Sequence, residues 1–321
     1  MKEFGVSIQD PLKTAVLFLV FNRLDETVRV FEAIREAKPP RLYLASDGAR
    51  LNVPGETEQV EAVRDYLMSA IDWDCEINTL FRDSNLGCKY AVSSAITWFF
   101  ENEEQGIILE DDCLPSISFF WFCEELLDKY KDDLRVWLIS GDNFQDGVRR
   151  GDASYYFSKF NHIWGWASWA TRWSSYDVEM KTFEQFSLEH RISSVFSEIR
   201  EQNHWMSTFS QVYQGKIDTW DYQWNYTVLS NNGLSVIPNI NLISNIGYGA
   251  KATHTTSLDS PNSNIPRSEF TGPLKHPRFI IQDMEADAYT ASSIFKKDKS
   301  FIRLARKVKN IMSHYFLRFW D

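Results

Sequence analysis

Three consecutive acidic residues, Glu110, Asp111 and Asp112, follow an apolar run that begins at Gly106. The run is apolar enough to be a buried strand, which would deliver the three carboxylates together at its end. Divalent cations such as Mg²⁺ or Mn²⁺ bind oxygen ligands, commonly one or two carboxylates together with phosphate oxygens and water. These residues, called the acid triplet below, are therefore a candidate site for a metal-bound diphosphate. The alternative is a solvated acidic turn before a helix that starts near Ser116.

A separate acid, Asp221, stands beside Trp220 and three residues before Trp224. A carboxylate between indole rings would be partly desolvated, which strengthens it as a general base. We therefore predict that Asp221 takes the proton from an attacking hydroxyl. The alternative role for an Asp at this position is a helix cap.

Polar residues also follow two earlier apolar runs. Asn22 and Arg23 come after the first run, and Asp47 comes after the second. Asp47 could accept a hydrogen bond from a nucleotide base or ribose, and Arg23 could reach a base edge or a phosphate. Lys89, near the start of a predicted helix, is a candidate contact for the diphosphate. Turn-forming and capping roles account for these residues equally well.

Two further candidates lie in the second half of the chain. His254 follows a glycine-containing segment that starts at Asn245, and it is a secondary candidate for a metal ligand, although a lone His is more often structural. Trp164 and Trp166 belong to an aromatic stretch and are candidates to stack on an acceptor sugar. Most aromatic side chains of that stretch are expected to lie in the hydrophobic core.

The elements that must position these residues are predicted from hydrophobic periodicity. Apolar β-branched runs alternate with amphipathic stretches in the first half, which predicts a largely parallel sheet with flanking helices. The predicted strands are Ala15 to Phe21, Arg41 to Ser46, Glu76 to Phe81, Gly106 to Glu110 and Arg135 to Ile139. The predicted helices are Asp25 to Ala37, Thr57 to Ala70 and Leu86 to Glu103, with N-caps at Asp25 and at Ser84 or Asn85. Ligands bind where such strands end, so the polar residues should gather along one edge.

The second half is expected to pack onto the first, so that residues 1–256 form one catalytic domain. Ser, Pro and Asn dominate the composition of residues 257–277, which predicts a linker. Residues 278–321 interleave basic and apolar residues and are predicted to form a basic amphipathic helical tail. Such a helix can lie on anionic lipid, and docking on the domain is the alternative.

Composition limits the classes of protein that the chain can belong to. A formal net charge of −10 over 321 residues argues against a general nucleic-acid binder. The sequence contains no run of roughly 18 apolar residues that could span a bilayer, and its start does not resemble a signal peptide. The four cysteines form no metal-binding or disulfide pattern. We therefore expect a cytoplasmic protein, located at the inner face of the membrane if the tail binds lipid.

The acid triplet resembles the acids that replace the Asp-x-Asp motif in the alpha-mannoside beta-1,2-N-acetylglucosaminyltransferase family of GT-A enzymes. The segment Ile163–Ala167 resembles the acceptor-side Gly-Trp segment of that family, and Trp220–Trp224 resembles its Trp-Asp-Asp-Trp segment. This last segment departs from the family at Tyr222 and Gln223. The general pattern, from Ala15 to Tyr226, is also similar to family 2-like bacterial glycosyltransferases.

The resemblance implies a GT-A fold, Rossmann-like, with a mostly parallel sheet flanked by helices and a C-terminal helical tail. It implies that Asp112 coordinates Mn²⁺ or Mg²⁺ directly. Glu110 and Asp111 would contact the nucleotide's ribose, the sugar or metal-bound water, and Asp221 would be the base of an inverting transfer. The implied donor is a nucleotide-diphosphate sugar, with UDP as the first choice, and the acceptor is a glycan or a lipid-linked glycan. A hexosyl or N-acetylhexosaminyl group would be transferred.

Two alternatives are open at this point. A sugar nucleotidyltransferase also uses a nucleotide-binding α/β fold and a divalent metal, but it requires a Gly-rich loop after its first strand. The segment Phe21 to Leu24 contains no Gly. The other alternative is a carbohydrate-binding protein without catalytic activity, which would need neither the acid triplet nor Asp221.

Overall fold

The computed structural model describes residues 11–248 and 263–293. The strands are β1 (Ala15–Val20), β2 (Arg41–Ser46), β3 (Glu76–Phe81), β4 (Gln105–Glu110), β5 (Cys113–Pro115), β6 (Val136–Ser140), β7 (Tyr155–Ser158), β8 (Trp166–Trp169), β9 (Leu234–Pro238) and β10 (Ile243–Asn245). The helices are α1 (Leu24–Ala37), α2 (Glu56–Ala70), α3 (Gly87–Asn102), α4 (Ile117–Tyr130), α5 (Ala170–Trp173), α6 (Phe183–Leu188), α7 (Ile192–Val195), α8 (Ile199–Tyr213) and α9 (Asp221–Ser230). Residues 284–293 are also helical.

The centre of the fold is an eight-stranded sheet in the order β3-β2-β1-β4-β8-β6-β9-β7. The strands β1 to β4 are mutually parallel, β8 runs antiparallel between β4 and β6, and β7 is an antiparallel edge strand. The short strands β5 and β10 pair in a second sheet beside it. The predicted α/β fold, a mainly parallel sheet flanked by helices, is confirmed.

The burial pattern of β1 explains why this sheet forms the core. All six residues of β1 are buried, as expected for a parallel strand covered on both faces. Because successive side chains point to opposite faces, Phe18 contributes to one core cluster and Leu17 to the other. The helix α1 covers the Phe18 face with Phe31 and Ile34, which recur at helical spacing.

The predicted strand bounds agree with the structure to within one residue, and those of β2 and β3 agree at both ends. The predicted N-caps are wrong. Arg23 precedes α1 and Leu86 precedes α3, and neither residue caps its helix with a side-chain hydrogen bond. The first N–H groups of α3 are instead satisfied by a carboxylate from another loop, that of Asp47.

Residues 263–293 pack along the sheet in the structure. The Asn264 N–H donates to the Asn245 carbonyl at 3.1 Å, and the Ser154 N–H donates to the Lys275 carbonyl at 2.7 Å. Asp287, in the last helical segment, accepts hydrogen bonds from the Ser158 hydroxyl and the Lys159 N–H. The predicted domain boundaries stay predictions, because residues 249–262 and 294–321 lie outside the described part of the chain. Within 11–248 and 263–293, no helix combines the length and hydropathy needed to cross a bilayer.

Candidate functional site

The acid triplet lies where β4 ends, beside the end of β1. Leu19 and Glu110 are register partners in the two parallel strands, so the residues after both strands emerge at the same edge. Arg23 pairs with both Asp111 and Asp112, and its Nη1 lies 3.0 Å from the Asp112 Oδ2. The Phe21 N–H donates to the Asp111 Oδ2 at 3.3 Å. The sheet thus brings together two strand ends that are about 90 residues apart in sequence.

Burial dominates the electrostatics of this cluster. Burial is the largest cause of a raised pKa of about 8 for Glu110, and the charges of Asp112 and Asp111 add to it. Burial also raises the pKa of Asp111 to about 6, although the Arg23 charge opposes this. Burial by itself would lower the pKa of Arg23, but the two aspartates hold it above its usual value. At neutral pH the two aspartates outweigh the single guanidinium, and a divalent cation would offset this excess of negative charge.

The residues that could hold that cation are only partly arranged for it. Within the described part of the chain, no group of three or more His, Cys, Asp or Glu side chains converges on one point. Asp112 faces Arg23. Carboxylate oxygens are ligands that Mn²⁺ and Mg²⁺ prefer. In this structure the Arg23 guanidinium occupies the side of Asp112 where a cation would bind. His254 lies outside the described residues.

The segment after β10 closes over Asp112. Strand β10 pairs with β5, directly after the acid triplet, and the Ile246 N–H donates to the Asp112 carbonyl at 2.8 Å. A β-carbon at Gly247 would lie 2.5 Å from the Arg23 Nη1 and 2.6 Å from the Asp112 Cβ. This close approach requires glycine. The glycine-containing segment noted in the sequence is therefore part of the wall of the acid cluster.

Asp221 is the first residue of α9, and the Thr219 hydroxyl donates to its carboxylate. The charge of Asp221 contributes to the raised pKa of Glu110, after burial and the neighbouring aspartates. Burial raises the pKa of Cys88 to about 12, and the next contributions come from Glu110 and Asp221. Glu110 and Asp221 therefore both lie within electrostatic reach of Cys88, near the start of α3, and of each other.

The other predicted nucleotide contacts are occupied by protein partners. The Asp47 carboxylate accepts the N–H groups of Leu86 and Gly87 at 3.0 and 3.1 Å. The Asn22 amide donates to Glu56 at 2.9 Å, and the Lys89 Nζ lies 3.4 Å from a Glu179 carboxylate oxygen. The Asp47 contact satisfies the start of α3, and the contacts of Asn22 and Lys89 link separate segments of the chain. Nucleotide binding by Asn22, Asp47 and Lys89 stays a prediction.

The two predicted acceptor residues have different environments. Trp166 is 1% exposed, and its ring stacks on Trp220 at 5.9 Å within a cluster of tryptophans. Trp164 is half-buried, and its ring contacts Phe144 at 5.2 Å and Tyr248 at 6.0 Å. Because Tyr248 directly follows Gly247, the half-buried ring of Trp164 stands beside the acid cluster, whereas Trp166 is a core residue in this structure.

Sequence reasoning missed Asp142 as a residue of this edge. Asp142 is 1% exposed, follows β6 and accepts the Trp164 N–H at 2.9 Å. Burial raises its pKa well above the usual range for an aspartate. The signal was present, since Asp142 follows a predicted strand in the way that Asp47 and Asp111 do.

Comparisons with known proteins give partial structural matches. No family model and no curated protein matches the chain. GalNAc-T7 in complex with UDP, GalNAc and Mn²⁺ matches with a TM-score of 0.44 and 11% identity over 72% of this chain and 43% of that one.

The mannosyltransferase PcManGT from Pyrobaculum calidifontis, in complex with GDP-Man and Mn²⁺, matches with a TM-score of 0.33 and 13% identity over 50% and 46% of the two chains. HddC from Yersinia pseudotuberculosis matches with a TM-score of 0.31 and 11% identity over 49% and 77%. The chain thus spans less than half the length of the two glycosyltransferases. Each overlap is partial, and the mixed α/β fold is established by the chain's own eight-stranded sheet.

Proposed function

We propose that this chain is a glycosyltransferase that moves a sugar from a nucleotide-diphosphate sugar to a hydroxyl of a glycan or a lipid-linked glycan. The observation that carries the proposal is the acid triplet at the end of β4, paired with Arg23 and within electrostatic reach of Asp221. A diphosphate leaving group and a hydroxyl nucleophile need two separate features, a site that stabilises negative charge and a base. A cation held by Asp112 would supply the first feature, and Asp221 would supply the second.

The donor would bind with its diphosphate at the acid triplet. Asp112 would hold Mn²⁺ or Mg²⁺ directly, with Glu110 and Asp111 contacting the ribose, the sugar or metal-bound water, and His254 as a further candidate ligand. When bound, the ion would stabilise the charge that develops on the leaving diphosphate. Arg23 would move from its pair with Asp112 toward a phosphate oxygen, since its guanidinium can form bidentate hydrogen bonds with either group.

The transfer step would use Asp221 as the base. The acceptor oxygen attacks the anomeric carbon, the bond from that carbon to the phosphate oxygen breaks, and the nucleoside diphosphate leaves with the electron pair. The acceptor proton passes to the Asp221 carboxylate, which the Thr219 hydroxyl holds in place. One base and one in-line displacement give inversion at the anomeric carbon.

The acceptor would lie on the side of the acid triplet where Trp164 stands with Phe144 and Tyr248. Half-buried rings present flat apolar faces to sugar C–H groups. Trp166 would support this wall from the core. UDP is the first nucleotide to test, and the inner face of the cytoplasmic membrane is the proposed location.

Calorimetric titration with UDP-, GDP-, dTDP- and CMP-sugars, with and without Mn²⁺, tests the donor site. Wild-type protein is expected to bind one nucleotide-diphosphate sugar only when Mn²⁺ is present, and Asp112→Asn is expected to lose this binding. Arg35→Gln, in a surface ion pair, is the control and should bind normally. If no donor binds under either condition, the donor site is wrong and a non-catalytic carbohydrate-binding protein becomes the better explanation. Binding of a nucleoside triphosphate in preference to any nucleotide sugar would indicate a nucleotidyltransferase.

A further inference from the structure

The carboxylate of Glu56 ties together the segments that follow β1 and β2. Glu56 is 1% exposed and is the first residue of α2. The Arg50 backbone N–H donates to its Oε2 at 2.7 Å, and the Arg50 Nε lies 2.9 Å from the same oxygen. The Asn22 amide donates to its Oε1 at 2.9 Å. One buried acid therefore holds a residue of the β2–α2 loop and a residue at the end of β1.

These contacts fix the direction of the Asn22 amide. The hydrogen bond from Arg50 lowers the pKa of Glu56 below its ordinary value, so Glu56 is a carboxylate and accepts hydrogen bonds only. The Asn22 amide therefore turns its NH₂ group toward Glu56, and its carbonyl oxygen points away from Glu56. Asn22 is half-buried. Its oxygen is a hydrogen-bond acceptor whose orientation is set before any ligand binds.

Asp47, the other acceptor predicted at these strand ends, is already saturated with hydrogen bonds. Its Oδ1 accepts the N–H groups of Gly48 and Leu86, both at 3.0 Å. Its Oδ2 accepts the Asn85 amide at 2.9 Å and the Gly87 N–H at 3.1 Å. A carboxylate offers about four acceptor positions, and four protein donors occupy them here. An acceptor for an incoming nucleobase must therefore come from another residue.

A second set of contacts connects Glu56 to the acid triplet. The Phe21 N–H donates to the Asp111 carboxylate at 3.3 Å, and the Arg50 guanidinium lies 5.6 Å from the centre of the Phe21 ring. Arg50 in turn pairs with Glu56. Because Asn22 directly follows Phe21, its amide is held next to the residues proposed to bind the diphosphate. The base of a nucleotide is joined to its diphosphate through the ribose, so a contact to the base belongs close to that site.

We propose that Glu56 is a positioning residue for the donor's nucleobase, and that the Asn22 oxygen that it orients accepts an N–H group of the base. The inference rests on the proposed glycosyl transfer for its ligand, and it adds the contact that discriminates among nucleotides. A base that directs an N–H donor at this oxygen is selected. A base that directs an acceptor at it is disfavoured, because both acceptors would lose their hydrogen bonds to water without gaining a partner.

Calorimetric titration of the full chain with UDP, GDP, dTDP and CMP, each with Mn²⁺, tests the proposal. Wild-type protein is expected to prefer one nucleotide. Glu56→Gln should bind that nucleotide about tenfold more weakly, the loss expected for one hydrogen bond, and bind the others as before. The reason is that the new amide can donate to the Asn22 oxygen and let it turn. Asn22→Ala should show the same selective loss, and the double variant should lose no more than Asn22→Ala alone, because Glu56 acts through Asn22.

Glu103→Gln is the matched control. The Glu103 side chain is 9% exposed, and it accepts two hydrogen bonds from Arg41 and one from the Tyr43 hydroxyl at 3.0 Å. Arg41 is the first residue of β2, so this pair lies at the opposite end of that strand from Asp47. Glu103→Gln should lower Tm in the way that Glu56→Gln does, since each leaves an arginine without its carboxylate, and should bind every nucleotide like wild type.

Several results would overturn the proposal. Wild-type affinity and preference in Glu56→Gln or in Asn22→Ala is one. Losses that multiply in the double variant are another, because the two residues would then act independently. An equal loss in Glu103→Gln is a third, because destabilisation alone would then explain the effect. If Glu56→Gln does not fold, Asn22→Ala decides the matter, since it keeps the pair of Arg50 with Glu56.

The same titration separates this inference from the proposed function. A wild-type protein that binds none of the four nucleotides refutes the proposed function, and the positioning role of Glu56 with it. A wild-type protein that binds one nucleotide, together with a Glu56→Gln variant that binds it equally well, refutes only the positioning role.

Discussion

The backbone of Gly247 lies directly against the side chain of Asp112. A β-carbon at Gly247 would come within 2.6 Å of the Asp112 Cβ and within 2.5 Å of the Arg23 Nη1. The Ile246 N–H, one residue earlier, holds the Asp112 carbonyl at 2.8 Å. The orientation of the proposed metal ligand is therefore set by a segment more than 130 residues later in the sequence.

Gly247→Ala should weaken Mn²⁺ binding by about 10- to 100-fold, the range seen when residues that orient a metal ligand are changed. The added methyl group must displace Asp112 or Arg23. Calorimetric titration with Mn²⁺ is the measurement. Gly215→Ala is the control, because open space surrounds Gly215 and the added methyl group would contact nothing. The φ of +69° at Gly215 makes this substitution mildly strained. The control should lower Tm slightly and leave Mn²⁺ binding unchanged, and wild-type affinity in Gly247→Ala would contradict the steric argument.

Arg23→Gln should destabilise the metal-free protein by about 3–5 kcal/mol, because it leaves buried carboxylates without their cationic partner. The Arg23 side chain is 17% exposed, and that of Asp111 is 4% exposed. Mn²⁺ should recover much of this loss, so its addition should raise the Tm of Arg23→Gln more than that of wild type. Thermal denaturation in EDTA and in Mn²⁺ measures both quantities.

Arg35→Gln provides the matched comparison for that experiment. Arg35 also pairs with two acids, Asp72 and Glu32, but all three side chains are at least 40% exposed. Surface ion pairs contribute little to stability, so its Tm should stay at the wild-type value with and without Mn²⁺. If Mn²⁺ shifts the Tm of wild type and Arg23→Gln equally, Arg23 and the metal do not act on the same carboxylates.

The stability of the metal-free protein should fall as the pH rises from about 4.5 to about 8. Burial raises the pKa of Glu110 to about 8 from an ordinary value of 4.5, so in this interval the folded protein holds a proton that the unfolded chain has lost. As the pH rises, the folded protein loses this proton and, with it, the part of the unfolding free energy that came from binding it. Urea unfolding in EDTA at several pH values should give a wild-type slope steeper than that of Glu110→Gln by up to about 1.4 kcal/mol per pH unit. Parallel curves for the two proteins would show that Glu110 ionises normally.

Asp221→Asn should lower the rate of sugar transfer by about 10²- to 10⁴-fold and leave donor binding unchanged. The Asn amide cannot take the proton from the attacking hydroxyl. The Thr219 hydroxyl can still donate to the Asn oxygen, so the fold should be preserved. Asp218→Asn is the control, since Asp218 is a neighbouring acid near Gly87 but is not proposed as the base. Steady-state kinetics should separate the two variants. Equal losses in both, or none in Asp221→Asn, would place the base elsewhere.

Asp47→Ala should destabilise the nucleotide-free protein by about 1–2 kcal/mol, as expected when a carboxylate that satisfies the first N–H groups of a helix is removed. The lost partners are the N–H groups of Leu86 and Gly87 at the start of α3. Asp83→Ala, a change at an exposed acid in the loop between β3 and α3, should leave the denaturation midpoint unchanged. An unchanged midpoint for Asp47→Ala, together with weaker donor binding, would favour the nucleotide-contact role instead.

The sequence by itself determined the elements β1 to β4, the helices between them and the position of the acid triplet at a strand end. These features depend on local periodicity, since a buried parallel strand must be apolar throughout and an amphipathic helix must repeat at 3.6 residues. The predicted N-caps were wrong because the group that satisfies the start of a helix can come from a distant part of the sequence. The acceptor for the first N–H groups of α3 comes from Asp47, 39 residues before Leu86, and no local signal reports that contact.

Tertiary structure alone decided which strand ends lie next to each other and which side chains are exposed enough to contact a ligand. The pairing of Arg23 with Asp112 depends on β1 lying beside β4, and the contact of Gly247 with Asp112 depends on β10 pairing with β5. Trp164 and Trp166 are two residues apart and equally aromatic, yet one is half-buried beside the acid cluster and the other is in the core. Side-chain type fixes what chemistry a residue can do, whereas burial and partners are properties of the packed chain, because they arise from residues distant in sequence.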